Sequence, residues 1–316
     1  MAHAAIERFE ALQSAFFAAT KRSERAQARF AAMAGLSVED DPETLVRRTL
    51  REREAINAAR SKMRAPSSSL RLVYGAALAA ARRDGGGLVK LMEALETERK
   101  RRGGRRLYAA GSRAALVMLC AGGNFSQTGM YFDILEAIAA PWWRRKAADE
   151  ETFAALMAAT GETPETALER LERADAALNA AGAPKRICND ARFLVAVTDP
   201  QIDDFTSAWT ALNIAVQQRR GLRQRAGWTS LAMLAAQVED GSDAGDALLM
   251  ADEFIGNMRP RVHGMTRGRL AVRLAATMTG LKTPGAAAAD YAAILATQAA
   301  VIAATSASAA AVVAAT

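Results

Sequence analysis

Five short segments concentrate the side chains of this chain that could do chemistry: 99–106 (RKRRGGRR), 144–146 (RRK), 185–192 (KRICNDAR), 219–225 (RRGLRQR) and 259–269 (RPRVHGMTRGR). Together they hold 20 of the 41 basic residues and a single acid, Asp190. A guanidinium presents a rigid fork of N–H donors that matches phosphate and carboxylate oxygens in pairs, so this pattern offers anion recognition rather than bond-making. The candidate contacts are Arg101, Arg102, Arg105, Arg106, Arg186, Arg220, Arg223, Arg261 and Arg267. To these Pro141-Trp142-Trp143-Arg144-Arg145-Lys146 adds two indoles beside three cations, an arrangement able to stack a base and hold phosphates. The competing role for Trp142 and Trp143 is to anchor a helix end on its neighbour, and Trp209 and Trp228 read as core. A net charge of +7 and a pI near 9.8 suit a polyanionic partner.

Catalytic constellations are sparse. The histidines are His3 and His263, and the cysteines Cys120 and Cys188 show neither CxxC nor Cys/His spacing. Neither a structural zinc nor a nucleophile-and-base pair is readable. Carboxylates pair at Glu39-Asp40-Asp41, at Asp203-Asp204 and at Glu239-Asp240 with Asp243. Such pairs serve glycoside hydrolysis or magnesium binding, but all fall where helix caps belong. Gly85-Gly86-Gly87 and Gly103-Gly104 lack the strand and the following Lys-Ser/Thr of a phosphate loop and read as turns. No cofactor and no metal are expected.

What must position these residues is a repeat. Ala/Leu-rich runs recur near Ala114, Phe153, Phe193, Leu231 and Leu270, at steps of 39, 40, 38 and 39 residues. A capping residue precedes proline at Asp41-Pro42, Thr163-Pro164, Asp199-Pro200 and Thr283-Pro284. Proline at a first helical position gives up only an amide that had no partner, so each pair marks a helix start. The segment after Pro164 carries Ala167, Leu168, Leu171, Ala174 and Leu178 on one face. A short apolar helix followed by a longer amphipathic one makes a helical hairpin, and no stretch alternates at period two as a strand would. The fold expected is all-α: about seven stacked hairpins with a period near 39 residues, as an open α/α solenoid or a closed toroid. Residues 1–66 read as an N-terminal helical hairpin, 67–285 as the repeat body and 286–316 as an Ala-rich helix or tail packed on it.

On this frame the turns inside hairpins at 39–43, 161–166, 199–204 and 239–246 carry acids and no Lys or Arg, while the turns between hairpins are basic. Stacking therefore predicts a basic rim opposite an acidic one. The helix dipole accounts for part of this, because it favours acids at N-termini and bases at C-termini. It rewards one or two cations per helix end, whereas 99–106 supplies six in eight residues. After Asp290 no charged residue occurs, but the tail is mostly Ala, Thr and Ser, a poor bilayer helix. With acids in the opening MAHAAIERFEAL, neither export nor a membrane is expected, and the chain reads as cytoplasmic.

The alternation LYAAGSRAALVMLCAGG, ETPETALERLERADAALNAAG, NDARFLVAVT and WTSLAMLAAQ, with Asn189-Asp190 and Phe193-Leu194 its sharpest piece, resembles an uncharacterised bacterial all-helical family, a domain of unknown function (DUF) of about this length. The resemblance covers roughly residues 70 to 280, implies the helical fold and brings no activity with it. The function expected is a non-catalytic binding or scaffolding protein that presents a basic edge to an acidic protein or nucleic acid. The alternative is an enzyme with an acidic or metal-binding cavity inside a helical toroid.

Overall fold

A computed structural model describes residues 2–36, 38–59, 66, 68–140, 146–238 and 241–279. These are helical throughout, with no strand among them. In chain order the helices are α1 (Ala2–Ala19), α2 (Arg25–Ala34), α3 (Pro42–Ala59), α4 (Ser68–Ala80), α5 (Gly85–Arg101), α6 (Ser112–Cys120), α7 (Thr128–Ala137), α8 (Ala147–Ala159), α9 (Pro164–Ala180), α10 (Lys185–Thr198), α11 (Ile202–Gln218), α12 (Leu222–Ala226), α13 (Trp228–Gln237), α14 (Gly241–Asn257) and α15 (Gly264–Met278).

The two helix types of the repeat have separate places. Helices α2, α4, α6, α8, α10, α13 and α15 each touch the next in that order, and α15 returns to touch α2. They form a closed inner ring. Outside it, α1, α3, α5, α7, α9, α11 and α14 follow one another in the same way, and the outer seam is bridged by an edge-to-face contact of Phe9 on α1 with Phe254 on α14, ring centres 6.2 Å apart. The Arg29 guanidinium on α2 also donates to the Pro260 carbonyl beside α15. The architecture is a closed α/α toroid of seven hairpins, with α12 an extra turn between α11 and α13.

Composition explains the division. An inner helix meets neighbours on both flanks and an outer helix behind, so nearly every position is buried: Ala28–Ala34, Glu150–Ala159 and Leu231–Gln237 are unbroken buried runs. Alanine lets such helices approach closely at no cost in side-chain entropy. Outer helices bury one stripe, as with Ala167, Leu171, Ala174, Ala177 and Leu178 on α9. Leu168, expected on that stripe, is 41% exposed.

Several local expectations are corrected. Asp199 does not cap α11. It terminates α10 in the left-handed region (φ 47°), with its carboxylate held by Arg173, and α11 starts at Ile202 after Gln201. Gly85, Gly86 and Gly87 are not a turn but the first turn of α5, capped by Asp84. The caps at Asp41 and Thr163 form, with acceptance from Thr44 N–H at 3.0 Å and from Thr166 N–H at 3.3 Å. Within the segment 1–66 read as an N-terminal helical hairpin lie α1–α3, which touch α4, α5 and α15. The Thr283-Pro284 cap, Glu239-Asp240 and the tail 286–316 lie outside the described residues.

Candidate anion-binding rim

Each outer helix leads through a connection between hairpins to the next inner one, so the outer C-termini and inner N-termini share one rim. The basic segments are the connections there. Their arginines fall into two groups, separated by what each side chain touches.

The first group is tied down by carboxylates. Arg101 and Arg102 both bind Glu98, three and four residues back on α5, at 2.5–2.8 Å. Hydrogen bonds from Arg101, then from Arg102, hold the Glu98 carboxyl down at about 2. Arg102 also reaches Asp133 on α7 at 2.6 Å and lies over the Phe132 ring. Arg105 donates to the fully buried Glu150 at 2.9 Å, joining the turn after α5 to the start of α8. Lys146 is bonded to Asp190.

Arg267 belongs to a larger network. Asp252 on α14, fully buried, accepts from Arg267 Nε and Nη2 at 2.7 Å, from Arg219 at 3.2 Å and from Arg225 at 3.0 Å. Burial works against the charge on Asp252, but the hydrogen bonds from Arg267 and Arg219 and the charge of Arg225 outweigh it and hold the carboxyl below its usual range. One carboxylate thus knits α11, α12, α14 and α15 together. The approach is close: a Cβ on Gly268 would lie 2.1 Å from the Arg225 carbonyl carbon, so only glycine lets α15 pass under α12.

The second group reaches solvent. Arg106, Arg186, Arg220 and Arg261 are exposed, and their side chains have no hydrogen-bond or ion-pair partner among the described residues. Arg223 lies over the Trp228 ring, 5.5 Å from its centre, and Trp209 packs against the same indole at 5.5 Å. Trp209 is buried in the core, as expected, whereas Trp228 is half-buried, packed against the core and covered by Arg223. Arg186 and Trp228 border a cleft of about 420 Å³ between the starts of α10 and α13. Trp142, Trp143, Arg144 and Arg145 lie outside the described residues.

No family model, curated protein or solved structure matches this chain.

The carboxylates considered for catalysis are dispersed. Asp40 binds Arg48, Asp41 caps α3, and Asp203 and Asp204 sit in the first turn of α11, in a different sector of the ring. Among the described residues no three His, Cys, Asp or Glu side chains gather as a metal site. No helix among them is long and apolar enough to cross a membrane.

Sequence reasoning overlooked the acids that organise the rim: Glu150, Glu151 and Asp252. Glu151, at the start of the second turn of α8, is almost fully buried, and both its oxygens accept from the Tyr108 N–H, at 3.0 and 2.9 Å. Burial pushes its carboxyl up to about 7, against the opposing effect of that hydrogen bond and of Arg105. The Tyr131 hydroxyl is also fully buried, and burial followed by the Glu151 charge drives its phenol well above the ordinary value. The readable signal was Asp149-Glu150-Glu151 at the head of an otherwise apolar inner helix, where acids cannot be a solvated face.

Proposed function

We propose that this toroid is a non-catalytic binding protein whose basic rim docks on a polyanionic macromolecule, with the nucleic-acid backbone as the leading partner class. The observation that carries this reading is the set of exposed arginines left over after internal pairing: Arg106, Arg186, Arg220 and Arg261. They come from four sectors of one rim, Arg106, Arg220 and Arg261 in connections and Arg186 in the first turn of α10, while neighbours of the same type are consumed by Glu98, Glu150 and Asp252. A fold that needed its arginines only as helix caps or internal pairs would have no use for these four. Spacing by successive repeats suits an extended partner, since equivalent turns recur side by side around the ring.

The test is binding of fluorescent duplex and single-stranded nucleic acid across a salt series, comparing wild type with Arg106→Gln/Arg186→Gln/Arg220→Gln/Arg261→Gln. Each phosphate contact contributes roughly −0.9 to the log–log slope on duplex, so the variant should flatten the slope by about 3 to 4. Its helical signal should not change, because the four side chains are exposed and hold no partner among the described residues. Equal slopes and affinities for the two proteins would overturn the proposal. Failure to bind either nucleic acid, together with retention on polyglutamate, would reassign the rim to an acidic protein.

A further inference from the structure

The opposite rim, where inner helices end and outer ones begin, is acidic at several turns, with Glu39, Asp41, Glu162 and Asp199 among its residues. One sector breaks that rule. The connection after α4 is Arg82-Arg83-Asp84, and it faces Arg48 and Arg51 of α3 across a cleft of about 600 Å³.

Each wall of the cleft is fixed by backbone. Arg48 and Arg51 stand one turn apart on α3, so both project from the same side of it. Arg82 takes a left-handed φ of 55°, and the Arg83 N–H closes back on the Leu78 carbonyl at 2.8 Å, the geometry that ends a helix sharply. The start of α5 lies flush on α3: a Cβ on Gly85 would come within 2.3 Å of the Glu52 carbonyl oxygen. The cleft is thereby lined by four arginines from two segments, α3 and the connection after α4, with Arg48 and Arg82 joined through Asp40.

The carboxylates nearby are already committed. Glu52, 3% exposed, takes Arg51 Nε and Nη2 on one oxygen at 2.9 and 2.7 Å and the Gly85 N–H on the other at 2.9 Å. Asp84 accepts from the Gly87 N–H at 2.7 Å as the cap of α5. Asp40 binds Arg48 at 2.6 Å and is 3.7 Å from Arg82. Arg83 has no hydrogen-bond or ion-pair partner among the described residues, and the side chains of Arg51 and Arg82 are 74% and 76% exposed. Four guanidinium groups of the lining meet three carboxylates, Glu52 and Asp84 within it and Asp40 behind Arg48 and Arg82, and the remaining positive charge falls to Arg83, with Arg51 and Arg82 exposed enough to swing onto a ligand.

We propose that this cleft binds the phosphate or diphosphate group of a small molecule, gripped by Arg51, Arg82 and Arg83. Forks arriving from two walls match a phosphate, which offers oxygens on several sides, better than a planar carboxylate, which one fork saturates. A volume of about 600 Å³ lies within the range of small-ligand sites. A polymer is disfavoured because the acids on neighbouring turns of the same rim would repel its continuing charge. The site is separate from the basic rim, so either proposal can fail without the other.

Calorimetry with inorganic pyrophosphate, a sugar phosphate and citrate, on wild type and Arg83→Gln, tests it. The Arg83 side chain is exposed and has no hydrogen-bond or ion-pair partner among the described residues, so the variant should melt within about a degree or two of wild type. Pyrophosphate or the sugar phosphate should bind wild type and lose about tenfold or more in Arg83→Gln, whereas the fourfold rim variant should bind like wild type. Tighter binding of the sugar phosphate would mark an organic phosphate as the ligand, and tighter binding of pyrophosphate a free diphosphate. Absence of binding at millimolar probe, undiminished binding by Arg83→Gln, or citrate binding as well as either phosphate would each overturn the assignment.

Discussion

Glu151→Gln isolates the energetic consequence of burying an acid at the head of an inner helix. The carboxyl, ordinarily near 4.5, is pushed up to about 7 by burial, so the folded state holds the proton more tightly than the unfolded chain does. Its favourable contribution is complete below the unfolded value and is lost as pH rises through the folded one. At about 1.4 kcal/mol for each unit of displacement, the loss between pH 5 and pH 8 comes to about 2.5 kcal/mol. Glutamine keeps an oxygen to accept the Tyr108 N–H but never ionises. Urea unfolding followed by the helical signal at pH 5, 6, 7 and 8 should therefore show the variant gaining on wild type steadily, with the gap widening by about 2.5 kcal/mol over the series. Parallel stability curves for the two proteins would refute the reasoning, and a gap that narrowed with pH would reverse its sign.

Asp252→Ala should cost about 3 kcal/mol in urea unfolding, the lower end for a broken buried pair, because its three arginine partners keep 22–31% exposure and recover some hydration. In wild type the same pairing should weaken as acid protonates Asp252, so the stability difference between the two proteins should shrink at low pH; an undiminished gap would argue against an ionic origin. Gly268→Ala forces a methyl within 2.1 Å of backbone at Arg225 and should lower stability by about 1 to 3 kcal/mol, read as a fall in melting temperature; an unchanged melting temperature would show that α12 yields freely.

Much of the fold is readable in the sequence because its determinants are local. The runs near Ala114, Phe153, Phe193, Leu231 and Leu270 all became inner helices, since an Ala-rich helix with no polar face must be surrounded. Pairing within one helix is likewise readable: Glu98 with Arg101 and Arg102 is a matter of spacing three and four. Closure of the ring is not, because α2 and α15 meet across most of the chain and no short pattern encodes their contact. Nor is the fate of Arg105, whose partner Glu150 is 45 residues away, or of Arg267, whose partner Asp252 looks in sequence like an ordinary surface acid beside Glu253. Counting basic residues picks out the basic segments but does not tell which arginines are spent on internal pairs. The same counting passed over Arg82-Arg83, because their significance depends on Arg48 and Arg51 from the preceding helix.

Closure of the inner ring changes how the molecule can come apart. An open array of hairpins loses its ends first, since a terminal unit has one neighbour where the others have two. Here α15 seats on α1 and α2, so the first and last hairpins are interior units as much as any other. Opening must begin by parting two interfaces at once, wherever it starts. Amide exchange should accordingly be of similar slowness in every inner helix instead of graded from tip to middle, and the seam at Phe9, Phe254 and Arg29 becomes a clasp whose release exposes the whole circle to unzipping.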